Sequence, residues 1–522
     1  MNPAAVEDAV QLSEFRVNST TDRGYVATQA AGATRTNTPL IELAHTVNVL
    51  NREFLQDTGA AKLYDALRYV SNVTGGDVRK DGDFGQPALG VRGFGINRMR
   101  DGMNVTSASA LVELSGYERV EAVQGASAVQ LGSSNPGGIL NYVPKSPLFR
   151  SRTEISAQVG SDRFYRGSLD TTAPLFARGQ VRTAYRVVVS GEDSQSFMDF
   201  HNRKLKFLQA SFAARIGRDT QIVARFETQQ EQTRESIGLP YAYFVNATVT
   251  PHPVLLNLPI GFYRGETDDR KKAHTHILDL SAETRLGDNW SLNFKSYGAR
   301  AATDRLETFI LNPGATTPIT AWSRGTQRIP NLTRALAAEA NLIGNFDIAA
   351  TKHKLLTGLT TLGNKGAGTN ERWDRGTINP FAPVYGVAPL GVKQVNLSTS
   401  STNTYYGIYL QDQVKFWGDR LLATAGARWD HAANTGLNRI SNVTTATTTE
   451  KWSPRYSLLW RVAAPLSLYV SYNESFQPAP AGTDIRGSRF QPLDGLQYKA
   501  GGKVTFLDGK LSGSFAAYEI KL

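Results

Sequence analysis

The chain has 522 residues, no cysteine and a formal net charge of +11, which excludes a disulfide scaffold, thiolate metal sites and a cysteine nucleophile. It is too long for one ordinary domain, its mean hydropathy is −0.31, and no apolar stretch approaches the ~18 residues of a membrane-crossing helix. That excludes a helical span only, because strands that alternate lipid-facing and lumen-facing residues have a soluble-looking mean.

Residues 1–35 are polar, rich in Thr and Ala, and without sustained periodicity, which reads as a flexible arm. The start, "MNPAAVEDAVQLSEF", shows no basic stretch, apolar core or small-residue cleavage site, so either the protein is cytosolic or the sequence lacks its export signal, and the strand pattern that follows favours the second. Within the arm, "VQLSEFRV" alternates loosely and could add as a strand to a partner's sheet.

Residues 36–147 have a mixed texture. "TVNVL" reads as a strand, and "AKLYDALRYV" places Leu63, Ala66, Leu67 and Val70 on one face of a short helix. "ALGVRGFG" and "ERVEAV" are strand-like, and "SSNPGGILNYV" is a turn feeding another strand. Together they make an αβ domain of ordinary size.

From residue 148 to 522 the period becomes two. Val181, Thr183, Tyr185, Val187 and Val189 share one face, opposite Arg182, Ala184, Arg186 and Ser190; Leu466, Leu468, Val470 and Tyr472 oppose Ser467, Tyr469, Ser471 and Asn473. A soluble sandwich also alternates. Three features favour lipid: short turns such as "LGDN" and "FWGD" between longer connections, aromatics as in "TYYGIY" and "FLQASF" suited to interfacial girdles, and the lack of a second core-forming element.

The basic residues are dispersed, so nucleic acid is not an expected partner. "GVRGFGINRMRDGM" lacks the spacing of a phosphate loop. His274 and His276 in "HTH" share a strand face as two metal ligands could, yet without an acidic companion they read better as lumen-facing polar residues. No metal, cofactor or enzymatic role is expected, since no nucleophile elbow, zinc motif or paired-carboxylate signature occurs.

In order, "TPLIELAHTVNVLNREFLQDTGAAKLYDALRYVSNVTG", "VRGFG…RDGM" and "YERVEAVQGASAVQLGSSNPGGILNYVPKSP" resemble the plug of TonB-dependent outer-membrane receptors of the ferric-siderophore branch. "YYGIYLQDQVKF", "RLLATAGARWDH", "WSPRYSLLWRV", "LSLYVSYNESFQP" and "YKAGGKVTFLDGKLSGSFAAYEI" resemble successive segments of that family's transmembrane β-barrel. The resemblance covers nearly the whole chain from Thr36 onward.

It implies an αβ plug, residues 36–147, inside a barrel that has about 22 strands in the family. It implies energised uptake of a ferric siderophore across the outer membrane of a Gram-negative-type cell, with TonB, outer-membrane lipid and lipopolysaccharide as partners. By position, Val10, Gln11, Leu12 and Ser13 are candidates for TonB contact. Arg79, Lys80, Asn97 and Arg98 lie in the regions matching the plug apex, where cations suit an anionic ferric chelate. Arg92 is the candidate for a contact between plug and barrel. A TonB-linked signalling receptor, uptake of cobalamin, carbohydrate or another metal chelate, and a non-functional remnant are the alternatives.

The chain departs from the family pattern at three places. Gln124-Gly125-Ala126 replaces the usual Arg-Gly-Pro, and Lys499 replaces a barrel glutamate. In the family, plug arginines pair with barrel glutamates, so the paired change suggests a link given up or replaced. Residues 148–522 suffice for roughly 15 strands, so an unclosed sheet and a sequence short of a complete transporter are expected.

Overall fold

The structure, a computed structural model, describes residues 24–30, 35–60, 62–75, 89–105, 112–126, 128–234, 241–245, 248–255, 257–311, 320–479, 485–488, 490–507 and 511–522.

Residues following the arm build a five-stranded sheet in the order Thr46–Asn51, Tyr117–Gln124, Gly138–Pro144, Asn97–Arg100, Met103–Asn104. Gly138–Pro144 runs parallel to Asn97–Arg100, and the other neighbours are antiparallel. The helix Arg52–Asp57 begins where the Asn51 side chain accepts the Phe54 amide at 3.1 Å. A second short helix, Leu63–Leu67, lays the expected face of Leu63, Ala66, Leu67 and Val70 against Leu50, Leu114, Tyr117, Val120 and Leu140. This core belongs to the inner domain alone.

Around that domain stands one antiparallel sheet of 15 strands, from Arg152–Gly160 to Leu511–Lys521. Its strands pair in chain order, and the hairpin Tyr241–Val245 with Thr248–Leu255 pairs only with itself. The first and last strands each pair with one neighbour and not with one another. One end of the sheet is closed by short connections, such as residues 287–289, 349–350 and 464–465; the other carries the long ones, 235–269, 311–321, 379–389 and 478–492. Gly287, at φ +73, makes one of the short reversals, after which Leu286 pairs with Trp290.

The two faces follow the alternation of the sequence. Val470 is 54% exposed on the outside, whereas its neighbour Ser471 is 7% exposed on the inside. The inner positions are mostly polar, as with Arg186, Ser190, Glu192 and Ser194 of Val181–Gln195, all buried against the enclosed domain. The outer face presents Val189, Phe226, Leu278, Leu410, Tyr456 and Trp460 to the surroundings. An apolar exterior with a polar lining is the inverse of a soluble fold and is what lipid requires.

Three sequence expectations change. "TYYGIY" is not an interfacial aromatic group, because it lies inside the long strand Leu390–Phe416 and the pleat divides it: Tyr406 faces outward, while Tyr409 is buried on the inner face. "FLQASF" splits in the same way, with Phe207 buried inside and Phe212 exposed outside. His274 and His276 do not face the lumen. Ala273 and Ile277 take the inner positions on that strand, Ile277 against Met103 and Val105 of the enclosed domain, so the pleat turns the histidines outward, where His276 stacks on Phe226.

Candidate functional site

The inner face of the sheet and the domain it surrounds meet mainly through charged and hydrogen-bonding groups. Arg100, at the end of Asn97–Arg100, is 2% exposed and reaches across the seam. Its Nη2 lies 2.8 Å from Asp279 Oδ2 and 2.9 Å from Glu227 Oε2, and its Nε donates to Asp279 at 3.1 Å. Its Nη1 donates to the Tyr117 hydroxyl at 2.5 Å. Burial opposes the charge, but the two wall carboxylates outweigh it and raise the arginine well above its ordinary value.

Further charged contacts ring the domain. Lys145 pairs with Asp170 at 2.8 Å, and Asp170 is shared with Arg186 at 2.7 Å. Arg166 of the wall holds Glu113, and Arg35 holds Glu339. Glu42 takes Lys415 and Arg461, each at 2.8 Å. Buried pairs of this sort add little net stability, yet removing one partner leaves an uncompensated charge. They fix position while leaving an interface that water could resolvate, unlike a fused apolar core.

At the end carrying the long connections, residues 133–135 of the inner domain meet the wall. Ser133 N donates to the Tyr405 hydroxyl at 2.6 Å, and Ser134 N donates to the Phe476 carbonyl at 2.9 Å. Asn97 braces this segment, donating to Ser133 O at 3.1 Å and accepting from Asn135 N at 2.9 Å. Arg98, next along, is half-buried. Above them the long connections are tied together. Arg324 pairs with Glu266 at 2.8 Å, Arg375 with Asp268 at 2.6 Å, and Phe262, Trp322 and Ile378 pack beneath. The result is a cross-linked rim around a polar floor. Arg79, Lys80, Val10, Gln11, Leu12 and Ser13 lie outside the described residues.

Arg92 touches the wall through an aromatic face: its guanidinium carbon sits 3.7 Å from the ring centroid of Tyr518. The two altered positions, Gln124 and Lys499, face each other. Lys499 Nζ reaches the Gln124 carbonyl at 3.5 Å, and Ala126 N, two residues on, donates to the Gln497 side chain at 3.1 Å. The Gln124 side chain turns inward to Asn48 and Ser71 at 3.0 and 2.9 Å. A cation-to-carbonyl link therefore joins the two altered positions. Among the described residues no group of three or more His, Cys, Asp or Glu suited to a metal ion occurs.

Sequence reasoning missed Arg100 as a wall contact, although it lies in the quoted "RMRDGM". The available signal was parity. Asp279 and Glu227 occupy inner positions of alternating strands, where a carboxylate takes a cation either from a neighbouring strand or from the enclosed domain.

Comparisons with known proteins agree with this geometry. Residues 208–522 match a family model described as TonB dependent receptor-like, beta-barrel, and residues 39–139 match one described as TonB-dependent Receptor Plug Domain. The chain is 26% identical to the metal-pseudopaline receptor CntO of Pseudomonas aeruginosa, over 99% of its own length and 73% of the relative's. It is 25% identical to the ferrioxamine B receptor of Salmonella typhimurium, over 94% and 69% respectively. Among solved structures, the siderophore receptor PiuA from Acinetobacter baumannii superposes with a TM-score of 0.83 at 20% identity, covering 95% of this chain and 74% of that one. The ferripyoverdine receptor of the Pseudomonas aeruginosa outer membrane, bound to ferripyoverdine, superposes with 0.83 at 22% identity, covering 96% and 66%.

Proposed function

The chain belongs to the TonB-dependent receptors, and from that premise we propose that it takes up a ferric siderophore across the outer membrane of a Gram-negative-type cell. The observation that carries this reading is the polar seam. The enclosed plug is held mainly by ion pairs and hydrogen bonds to a polar lining, with smaller apolar contacts at Ala44, Met103 and Val105, so a pull on it exchanges mostly polar contacts for water. Relatives named as ferrioxamine and ferric-pyoverdine receptors, aligned over most of this chain, supply the substrate class. The work is gated binding and passage, with no bond chemistry.

In this reading the ligand rests on the floor at the long-connection end. Arg98 offers charge to an anionic chelate, Asn97 holds the floor in shape and offers its amide, and Arg79 and Lys80 belong to the same apex. Val10, Gln11, Leu12 and Ser13 engage TonB, and Arg92 contributes to seating the plug on Tyr518.

The outer face suggests how lipopolysaccharide is met. Lys204 and Lys272 flank Gln232 across three strands, and Lys206 flanks Gln230 one pleat on. They border a groove of about 970 Å³ that also includes Tyr165 and the facing glycines Gly167 and Gly191. Cations beside a groove of mixed lining, with Val159 and Tyr165 next to Asp193 and Gln232, near the long-connection rim suit the phosphates of that lipid.

Binding of a ligand panel to the purified protein tests the substrate class. Intrinsic fluorescence is titrated with ferrioxamine, ferric pyoverdine, a metal–pseudopaline chelate, cobalamin and a maltooligosaccharide. Saturable quenching by one of the iron chelates supports the proposal. A response to cobalamin or the sugar alone contradicts it. A response to the metal–pseudopaline chelate alone favours a second reading, a receptor for metal–pseudopaline complexes, for which the CntO relative is the motivating observation.

A further inference from the structure

Where the plug meets the last strands of the wall, five basic side chains converge from both sides of the seam. His45 and Arg92 come from the plug, Arg455 from Val443–Ala463, and Lys499 and Lys503 from Leu493–Phe506. The wall groups lie on one inner face. Arg455 pairs across the sheet with Asn473 and that in turn with Gln497, while Lys499 is opposite Ser471 and Lys503 opposite Ser467. His45 is 0%, Arg455 2%, Lys499 3% and Lys503 6% exposed.

Among the described residues none of these groups forms an ion pair with a carboxylate, and the protein partners they do have are neutral. Lys499 reaches the Gln124 carbonyl, Lys503 the Leu40 carbonyl, Arg455 the Gln411 side chain at 3.2 Å, and Arg92 the Tyr518 ring. Among the described residues several buried polar atoms around them have no hydrogen-bond partner: both ring nitrogens of His45, Nε and Nη1 of Arg92, Nε of Arg455, Nε2 of Gln497 and the hydroxyl of Ser467. Most of these are donors. Elsewhere along the seam, buried arginines such as Arg100 and Arg186 have carboxylates. Burying several basic groups together without a counter-charge is strongly unfavourable, and the Arg92 and Arg455 guanidiniums cannot relieve it by losing a proton, so the cluster favours a bound anion.

We propose that His45, Arg92, Arg455, Lys499 and Lys503 form a binding site for a small inorganic oxyanion of the phosphate or sulfate type, bridging plug and wall near the short-connection end. A tetrahedral oxyanion matches the surplus of donors, since its oxygens accept from forked guanidinium, ammonium and amide groups at once. Burial and the four surrounding cations hold the His45 imidazole well below its usual value, so it is neutral and has one ring N–H to give. The bound anion joins the two parts of the molecule through contacts that neither makes alone. The site is separate from the rim and floor assigned to the chelate, and the inference does not depend on which chelate binds.

The test is thermal unfolding of the purified full chain in phosphate, sulfate or chloride at matched pH and ionic strength. The midpoint is expected to rise with the logarithm of phosphate or sulfate concentration above the dissociation constant, as ligand linkage requires, and not with chloride. Lys503→Met should lose that response. Lys499→Glu, which supplies an internal carboxylate, should fold, start from a higher midpoint in chloride and respond little to phosphate. Equal midpoints in phosphate and chloride for the parent chain would overturn the proposal, as would an undiminished phosphate response in Lys499→Glu. Selenate-soaked crystals give an independent reading: an anomalous peak among His45, Arg455 and Lys499 supports the site, and its absence at saturating selenate contradicts it.

Discussion

Arg100 of the plug and Asp279 of the wall form a bidentate, buried ion pair across the seam, with Nη2 2.8 Å and Nε 3.1 Å from the same carboxylate oxygen. They stand 179 residues apart, and Glu227 closes on the arginine from the neighbouring strand, so one plug side chain registers the domain against two wall strands at once.

Replacing Arg100 with Met is therefore expected to be costly. Asp279 keeps Arg225 at 3.2 Å, but Glu227 loses its buried cation. A loss of roughly 3–5 kcal/mol in the stability of the plug's seat follows, read as earlier protease cleavage within residues 36–147 and a lower unfolding midpoint. Asp279→Ala combined with Arg100→Met should cost less than the sum of the two single changes.

The turn into Gly138–Pro144 admits no side chain. Gly138 has φ +122, and a Cβ there would lie 2.1 Å from the Val123 carbonyl oxygen. Gly138→Ala should destabilise the plug by more than about 1 kcal/mol, since both the backbone conformation and the space oppose it. Gly24, also at positive φ but with open space around it, should tolerate alanine better. Denaturant midpoints of the two variants make the comparison.

How far the sequence discloses this molecule depends on the range of the interaction. Local and periodic features are legible. Leu63, Ala66, Leu67 and Val70 form the helix face anticipated for them, and Ser467, Tyr469, Ser471 and Asn473 lie inside while Leu468 and Val470 lie outside. Family motifs add the enclosed plug, which no periodicity could supply. Pairing across the seam is not legible, because alternation says which residues face inward and not which plug group each one meets. Arg100 with Asp279, and the carbonyl link from Lys499 to Gln124, needed the fold. The misplacement of His274 and His276 has the same origin: polarity suggested the lumen, and strand parity, set by inward Ala273 and Ile277, decided otherwise.

His45 gives the seam a pH dependence. Its folded value is depressed, so its contribution is present above the unfolded value of about 6.5 and is lost as pH falls, because the unfolded chain then binds a proton that the folded one refuses. The groups facing it are Arg92, Arg455, Lys499 and Lys503, all basic. Stability should fall between pH 7 and 5 by up to about 1.4 kcal/mol per unit from this group. His45→Gln should flatten that slope in unfolding midpoints measured across the range.

The outward lysines make a separate prediction. Lys204→Glu with Lys206→Glu and Lys272→Glu should leave the fold intact, since all three are exposed, while sharply reducing the lipopolysaccharide that co-purifies with the protein. The same substitutions should leave chelate binding at the rim unchanged.

In the proposed function the plug gates energised entry of a ferric chelate. The most direct test is accumulation of radiolabelled iron, supplied as the chelate that quenches the protein's fluorescence, by iron-starved cells lacking their own receptor for it. Cells expressing this protein should accumulate iron, and deletion of TonB should abolish accumulation while surface binding persists. Accumulation that continues without TonB, or surface binding that never leads to uptake when TonB is present, would contradict the account.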